Sequence, residues 1–229
     1  MIIGRYHISQ FFKSYHLENL QRWYHTSRGW EDGVKSLTWS GTEDPKKVKN
    51  TLQNYPKGEM LWPSIDSNNE FIQFTGAETT TAPMATKTPV GGYYKPHFDD
   101  VTNGHFSTTI FINDPNEYEG GELGLWIDGK EELFKLEPGW GITYETGIGH
   151  NVRPVTKGER HVLVMWTHST WPNIDDFRDW KYWDHMVERL WDPNHQILQT
   201  LEDHVNDPYS FFRQKANKIR QKYIKKTEK

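Results

Sequence analysis

The sequence predicts an α+β protein, with helices first, a core of short strands in the middle and helices last. Three observations predict it. Between residues 71 and 169, short runs rich in aromatic and β-branched side chains are separated by turn residues. After Pro172, apolar residues recur at helical spacing instead. The chain also carries 11 Trp, 11 Tyr and 11 Phe in 229 residues, a wealth of large rings that disordered chains lack. The expected organisation is a single domain over 1–229: a mainly helical part at 1–70, a β core at 71–170 and a helical extension at 171–229.

The elements follow in order. Ser9 is placed to cap a helix whose apolar positions Phe12, Leu20 and Trp23 fall roughly on one face. Asp44-Pro45 opens a second predicted helix, with Val48 and Leu52 four apart. Predicted strands occupy Phe71–Phe74, Phe106–Asn113, Gly121–Ile127, Glu132–Leu136, Gly141–Glu145 and Arg160–His168. Asp128-Gly129 between two of these runs is a strong hairpin signal. Strands this short and this closely spaced suit a sandwich, a jelly roll or a small barrel. The segment 76–92 is rich in Thr, Ala, Pro and Gly, so it is predicted as a loop, placed like a lid over a substrate. In the tail, Phe177, Trp180, Val187, Leu190 and Trp191, then Ile197, Leu198, Leu201 and Val205, mark helices. The final stretch from Arg213 to Lys229 holds eight Lys or Arg against the single acid Glu228, which reads as a solvated terminal helix.

Composition excludes several functions. Cysteine is absent, which removes disulfide scaffolds, Cys-bound zinc, iron–sulfur clusters and thiol nucleophiles. Any metal must be held by His, Asp, Glu or neutral oxygen donors. The net charge is −4, from 27 Lys+Arg against 31 Asp+Glu, so the chain does not advertise a nucleic-acid surface. No run is long enough to span a membrane, and residues 1–12 contain no apolar signal core. A cytoplasmic protein without a membrane partner is the expectation.

Among 11 histidines, His97-Phe98-Asp99 stands out. In an extended segment, residues two apart point to the same side, so His97 and Asp99 can offer a nitrogen and a carboxylate to one ion. His150 follows a predicted strand and a run of small residues, and it completes a set of two imidazoles and one carboxylate. Such a set binds Fe(II) and leaves coordination positions open. Arg160 starts the run Arg160–Trp166, whose alternation puts Arg160, Val162, Val164 and Trp166 on one face. His161, Leu163 and Met165 take the other. An arginine among apolar side chains is costly unless an anion meets it, and its planar fork suits a carboxylate. Plainer alternatives stay open at this level: a His–Asp hydrogen bond with no metal, His105 in place of His150, and an edge arginine that reaches water or pairs with Glu145 or Asp99.

The run from Val90 to Ser169 resembles the iron(II)/2-oxoglutarate dioxygenases of the prolyl 4-hydroxylase-like group, and most of all the PKHD-type hydroxylases. The matching text is GGYYKPHFDD, INDPNEYEGGEL and GIGHNVRPVTKGERHVLVMW. The resemblance implies a double-stranded β-helix (jelly-roll) core flanked by N-terminal and C-terminal helices. It implies His97, Asp99 and His150 as iron ligands and Arg160 on the distal carboxylate of 2-oxoglutarate, with Tyr94 and Trp166 lining the cosubstrate pocket. The implied cofactors are Fe(II), 2-oxoglutarate and O2, with ascorbate as a reductant. The implied reaction hydroxylates an unactivated C–H bond, foremost of a prolyl residue in a peptide or protein or of free proline, and releases succinate and CO2. Asp99 favours hydroxylation over halogenation, since related halogenating enzymes replace that carboxylate with a small residue. Hydroxylation of another amino acid or small molecule, a nucleic-acid demethylase, and a non-catalytic jelly-roll binding module are the competing readings.

Overall fold

The computed structural model describes residues 5–27, 30–32, 50–51, 62–99 and 102–170, with a few helical positions beyond (175–176, 179, 214–215 and 218–219). The chain divides into two compact units, residues 4–169 and residues 1–3 with 170–229. The first carries the β core. The predicted helix after Asp44-Pro45 and most of the predicted C-terminal helices lie outside the described residues. Among the described residues, no helix is long and apolar enough to cross a membrane.

Fourteen strands and three α-helices are described: β1 (Tyr6–Gln10), α1 (Ser14–Thr26), β2 (Glu31–Asp32), β3 (Asn50–Thr51), α2 (Trp62–Asp66), α3 (Asn69–Thr75), β4 (Ala77–Thr80), β5 (Met84–Pro89), β6 (Tyr94–His97), β7 (Phe106–Phe111), β8 (Glu119–Gly120), β9 (Leu123–Ile127), β10 (Lys130–Phe134), β11 (Trp140–Glu145), β12 (His150–Val152), β13 (Val155–Lys157) and β14 (Glu159–Ser169). The main sheet runs β1-β11-β7-β14-β4, with β5 also paired to β14. A second sheet runs β10-β9-β12-β6. Every pairing in both is antiparallel. This is the jelly-roll core expected from the sequence.

Alternation on β14 decides how the layers stack. Leu163 and Met165 pack with Phe12, Leu20, Tyr24 and Phe71, which come from the N-terminal segment and its helices. Val162 faces the other way, into a cluster with Leu123 and Leu125 of the second sheet and with Phe111 and Tyr144 of the main one. Burying each such side chain contributes about 1.5–3 kcal/mol. The main sheet is thus covered by helices on one face and by the second sheet on the other. Tyr24 closes the helical layer by donating its hydroxyl to the Val162 carbonyl at 2.6 Å.

Three sequence expectations are corrected. Ser9 does not cap a helix: it pairs with Gly141 inside β1, and α1 begins only at Ser14. β1 adds an edge strand of the main sheet to the otherwise mainly helical described part of 1–70. Phe71–Phe74 is helical, not extended. Asn68 caps α3 by accepting the Phe71 N–H at 3.0 Å, and Gly76 ends it at φ 58°, so Phe71 and Phe74 bury one face at i, i+3 spacing. The supposed loop and lid at 76–92 is mostly β4 and β5, hydrogen-bonded along both halves of β14. Its threonines are β-branched strand formers. Their small size suits the cavity wall, where Thr86 and Thr88 lie.

The Asp128-Gly129 hairpin forms as expected between β9 and β10, with both residues at positive φ (49° and 78°). Gly139 is the more demanding glycine. Its carbonyl accepts the N–H groups of Phe11 and Phe12, its own N–H donates to Phe111, and an added Cβ would lie 2.4 Å from the Phe12 carbonyl oxygen. Urea unfolding of Gly129→Ala, where the Cβ would enter open space, is expected to show only the left-handed backbone penalty of about 1–2 kcal/mol. Gly139→Ala should cost clearly more, and equal losses would mean that the Phe12 contact is unimportant.

Candidate metal and cosubstrate site

The antiparallel register of β12 with β6 places His150 directly opposite His97. Their ring centroids are 4.1 Å apart. Asp99 follows β6 on the same side as His97. Its Oδ1 lies 3.6 Å from His97 Nε2 and its Oδ2 lies 3.6 Å from His150 Nε2. One ligand atom from each of the three lies within 4.8 Å of the others, a spacing at which they could hold a metal ion.

The imidazoles are oriented for that task. His97 Nδ1 donates to the Lys95 carbonyl at 2.9 Å, and His150 Nδ1 donates to the Ile148 carbonyl at 3.0 Å. A carbonyl can only accept, so each Nδ1 carries the proton and each Nε2 presents a lone pair. The carboxylate is equally constrained. Ser107 Oγ donates to Asp99 Oδ2 at 2.8 Å, and the Trp166 indole donates to the same oxygen at 2.9 Å. Burial pushes the Asp99 carboxyl up, but the adjoining imidazoles of His97 and His150 and the donors Trp166 and Ser107 outweigh it. The carboxyl is held well below the usual carboxylate range, so it stays ionised.

A cavity extends from this cluster between the two sheets. Tyr94, His97, Asp99, His150, Arg160 and Trp166 all line it, together with Thr86, Thr88, Thr109, Tyr144, Val162 and Val164. All six residues singled out from the sequence therefore meet at one site. Arg160, Val162, Val164 and Trp166 share the face that alternation predicts, whereas His161 turns away and stacks on Tyr24 with ring centroids 4.9 Å apart. His105 does not join the cluster: its Nδ1 accepts the Ser169 N–H at 3.0 Å.

Arg160 is only 3 % exposed, and its Nε has no hydrogen-bond partner. It is not an edge arginine. Glu145, one suggested partner, pairs with Arg5 at 3.4 Å. Among the described residues no carboxylate lies within ion-pair distance of Arg160. Burial lowers the guanidinium pKa, and the neighbouring Tyr118, Tyr144, Tyr24 and Glu122 oppose that shift. A buried cation lacking a carboxylate partner is suited to receive an anion. The chemistry of the site thus fits both groups implied by the resemblance, a divalent ion on two imidazoles and a carboxylate, and a carboxylate-bearing molecule reaching from that ion to Arg160.

Trp166 has a more definite contact than pocket lining, since its indole holds Asp99. Sequence reasoning missed Ser107 and Tyr144. Ser107 reaches Asp99 from β7, while Tyr144 lies fully buried on β11 with its ring 5.2 Å from that of His150. Burial and the Asp99 charge push the Tyr144 phenol well up, against the opposing influence of Thr109 and Arg160. Alternation along Gly141–Glu145 was the available signal for Tyr144. Ser107 had none, because its role depends on which strand lies behind the metal cluster.

Comparisons with known proteins agree with this geometry. Residues 83–168 match the family model of the 2OG-Fe(II) oxygenase superfamily. A PKHD-type hydroxylase of Colwellia psychrerythraea is 36% identical over 141 residues, which covers 56% of this chain and 63% of that protein. A PKHD-type hydroxylase of Prochlorococcus marinus (strain SARG) is 34% identical over 161 residues, covering 64% of this chain and 70% of the relative. Among solved structures, a prolyl-4-hydroxylase of Pseudomonas putida superposes with a TM-score of 0.55 at 18% identity, over 71% of this chain and 92% of the other. A prolyl hydroxylase from Trichoplax adhaerens, solved with a peptide fragment of a hypoxia inducible factor, superposes with a TM-score of 0.56 at 12% identity, over 71% and 83%. The fold, the clustered His and Asp side chains and these relatives converge: the chain belongs to the PKHD-type hydroxylases of the 2OG-Fe(II) oxygenase superfamily and is a dioxygenase.

Proposed function

We propose that this dioxygenase hydroxylates a prolyl residue in a peptide, with His97, Asp99 and His150 as the iron ligands and Arg160 as the anchor of 2-oxoglutarate. The observation that carries the site assignment is the pairing of two features in one cavity. Two Nε2 atoms and an ionised carboxylate converge at one end, and a buried guanidinium without a carboxylate partner lies on the same wall as Trp166. The substrate class is supported by relatives and structural neighbours that are hydroxylases, one of them holding a peptide. Free proline or another amino acid would use the same site.

When bound, iron and 2-oxoglutarate would supply the oxidising chemistry, consuming O2, releasing succinate and CO2 and converting a substrate C–H to C–OH. The protein's own work is placement. His97 and His150 keep their Nε2 lone pairs aimed at one point because both Nδ1 protons are tied to carbonyls. Asp99 is kept charged and fixed by Ser107 and Trp166. Arg160 grips the distal carboxylate by a charge-assisted pair, strengthened by burial. Val162 and Val164 give the cavity an apolar flank that limits water.

Anaerobic addition of Fe(II) and 2-oxoglutarate is expected to give a visible charge-transfer band, lost in His97→Ala and in His150→Ala and weakened in Arg160→Ala. No band in the wild-type protein would leave the non-catalytic binding module as the better reading. Turnover-dependent succinate release, screened over prolyl peptides and free amino acids, then separates the substrate classes. A response confined to free amino acids would overturn the peptide assignment.

Trp166→Phe keeps an aromatic ring but removes one of the two donors on Asp99. It is expected to weaken metal affinity about 10–100-fold, read by titration with Mn(II). An unchanged affinity would show that the indole contact does not orient the carboxylate.

A further inference from the structure

The segment Glu117–Glu122 takes no part in the site as assigned so far, although it connects two of its walls. β8 within it pairs with β13. Tyr118 does not line the cavity, yet it is only 2 % exposed. What this segment touches is the stem of Arg160. Gly121 adopts φ +69°, and a Cβ there would lie 3.1 Å from Arg160 Cδ, 3.1 Å from Tyr118 Cε2 and 3.0 Å from Val155 Cγ2. The arginine stem and the edge of the tyrosine ring therefore converge on the bare Cα of Gly121. On another side the guanidinium carbon lies 5.3 Å from the centre of the Phe111 ring.

The tyrosine is itself held in place. Lys135 Nζ donates to the Tyr118 carbonyl at 2.6 Å and sits 3.9 Å from the centre of its ring. Two polar atoms of this pocket, Tyr118 Oη and Arg160 Nε, are buried without a hydrogen-bond partner. Nε is one bond from the Cδ that meets Gly121, and Oη is two bonds from the Cε2 that meets it. A core residue selected only to fill space would not need a buried hydroxyl here, since such a group costs free energy when it is unpaired. Arg160 acts on this phenol against the upward push of burial, so here the oxygen serves as a dipole beside a cation.

We propose that Tyr118 and Gly121 form the seat that fixes the guanidinium of Arg160, and so set the enzyme's preference for a 2-oxo acid with a distal carboxylate. Both are positioning residues, acting through Arg160 without touching the cosubstrate. The inference rests on the assignment of Arg160 to the distal carboxylate.

Calorimetric titration of the Mn(II)-loaded protein tests it with two ligands. 2-Oxoglutarate has the distal carboxylate; 2-oxopentanoate has the same five-carbon chain and ends in a methyl group. The wild-type protein is expected to prefer 2-oxoglutarate. Gly121→Ala pushes a methyl group into the arginine stem and should cut that preference at least tenfold. Tyr118→Phe removes only the hydroxyl and should cut it severalfold. In both variants Mn(II) and 2-oxopentanoate should bind as in the wild type. If Gly121→Ala does not fold, the ratio in Tyr118→Phe decides alone. A wild-type ratio in the folded variants, or a parallel loss for both ligands, overturns the seat while leaving the role of Arg160 intact. Absence of any preference in the wild-type protein overturns the assignment of Arg160, and the seat with it.

Discussion

His97 on β6 and His150 on β12 face each other across one antiparallel pair, and every other feature of the site is arranged around that opposition. Side chains on a strand alternate between faces, so a slip of one residue would turn an imidazole out of the cavity. The register is locked from the far side as well. β12 also pairs with β9, where His150 lies opposite the fully buried Leu125. A slip there would carry polar Asn151 toward the core. The burial that stabilises the second sheet thus also fixes the two nitrogens.

The second requirement is electrostatic. A carboxylate placed between two sheets would tend to take up a proton, and a protonated acid is a poor ligand. Asp99 avoids this because Trp166 and Ser107 both donate to it and both histidines surround it. Those donors come from β14 and β7, adjacent strands of the main sheet, whereas Asp99 itself follows a strand of the second sheet. The contact between the sheets is therefore polar at the cavity, whereas Val162, Leu123 and Leu125 keep it apolar nearby. Arg160 obeys the same logic with opposite sign: its charge is buried at the cavity wall, with aromatic rings around it and, among the described residues, no carboxylate within ion-pair distance.

Much of this was legible in the sequence. The spacing of His97 and Asp99, the alternation from Arg160 to Trp166 and the Asp128-Gly129 turn each reflect a local rule, and each is found in the structure. The N-terminal part was less legible. Phe71–Phe74 fits either a strand or a helix when its apolar residues are merely counted, and the decision came from Asn68 and Gly76 at its ends. The threonine-rich run at 76–92 looked like a loop because it lacks large side chains, which is what a strand beside a narrow cavity requires. Tyr118 and Gly121 could be read only as part of a motif, since their contact with Arg160 spans about forty residues of chain.

By itself, the sequence determined the chemistry available to this protein. With no cysteine, a metal had to rest on imidazole and carboxylate, and the period-2 pattern settled which side chains would share a face. Local rules of this kind act over a few residues, so they survive in the linear text. The family resemblance in the sequence already implied His150 rather than His105; tertiary structure alone decided that Ser107 and Trp166 hold the carboxylate and that Arg160 is buried beside Tyr118. Those outcomes depend on strand pairing and sheet packing between distant segments, where burial and register, not sequence spacing, determine which groups meet.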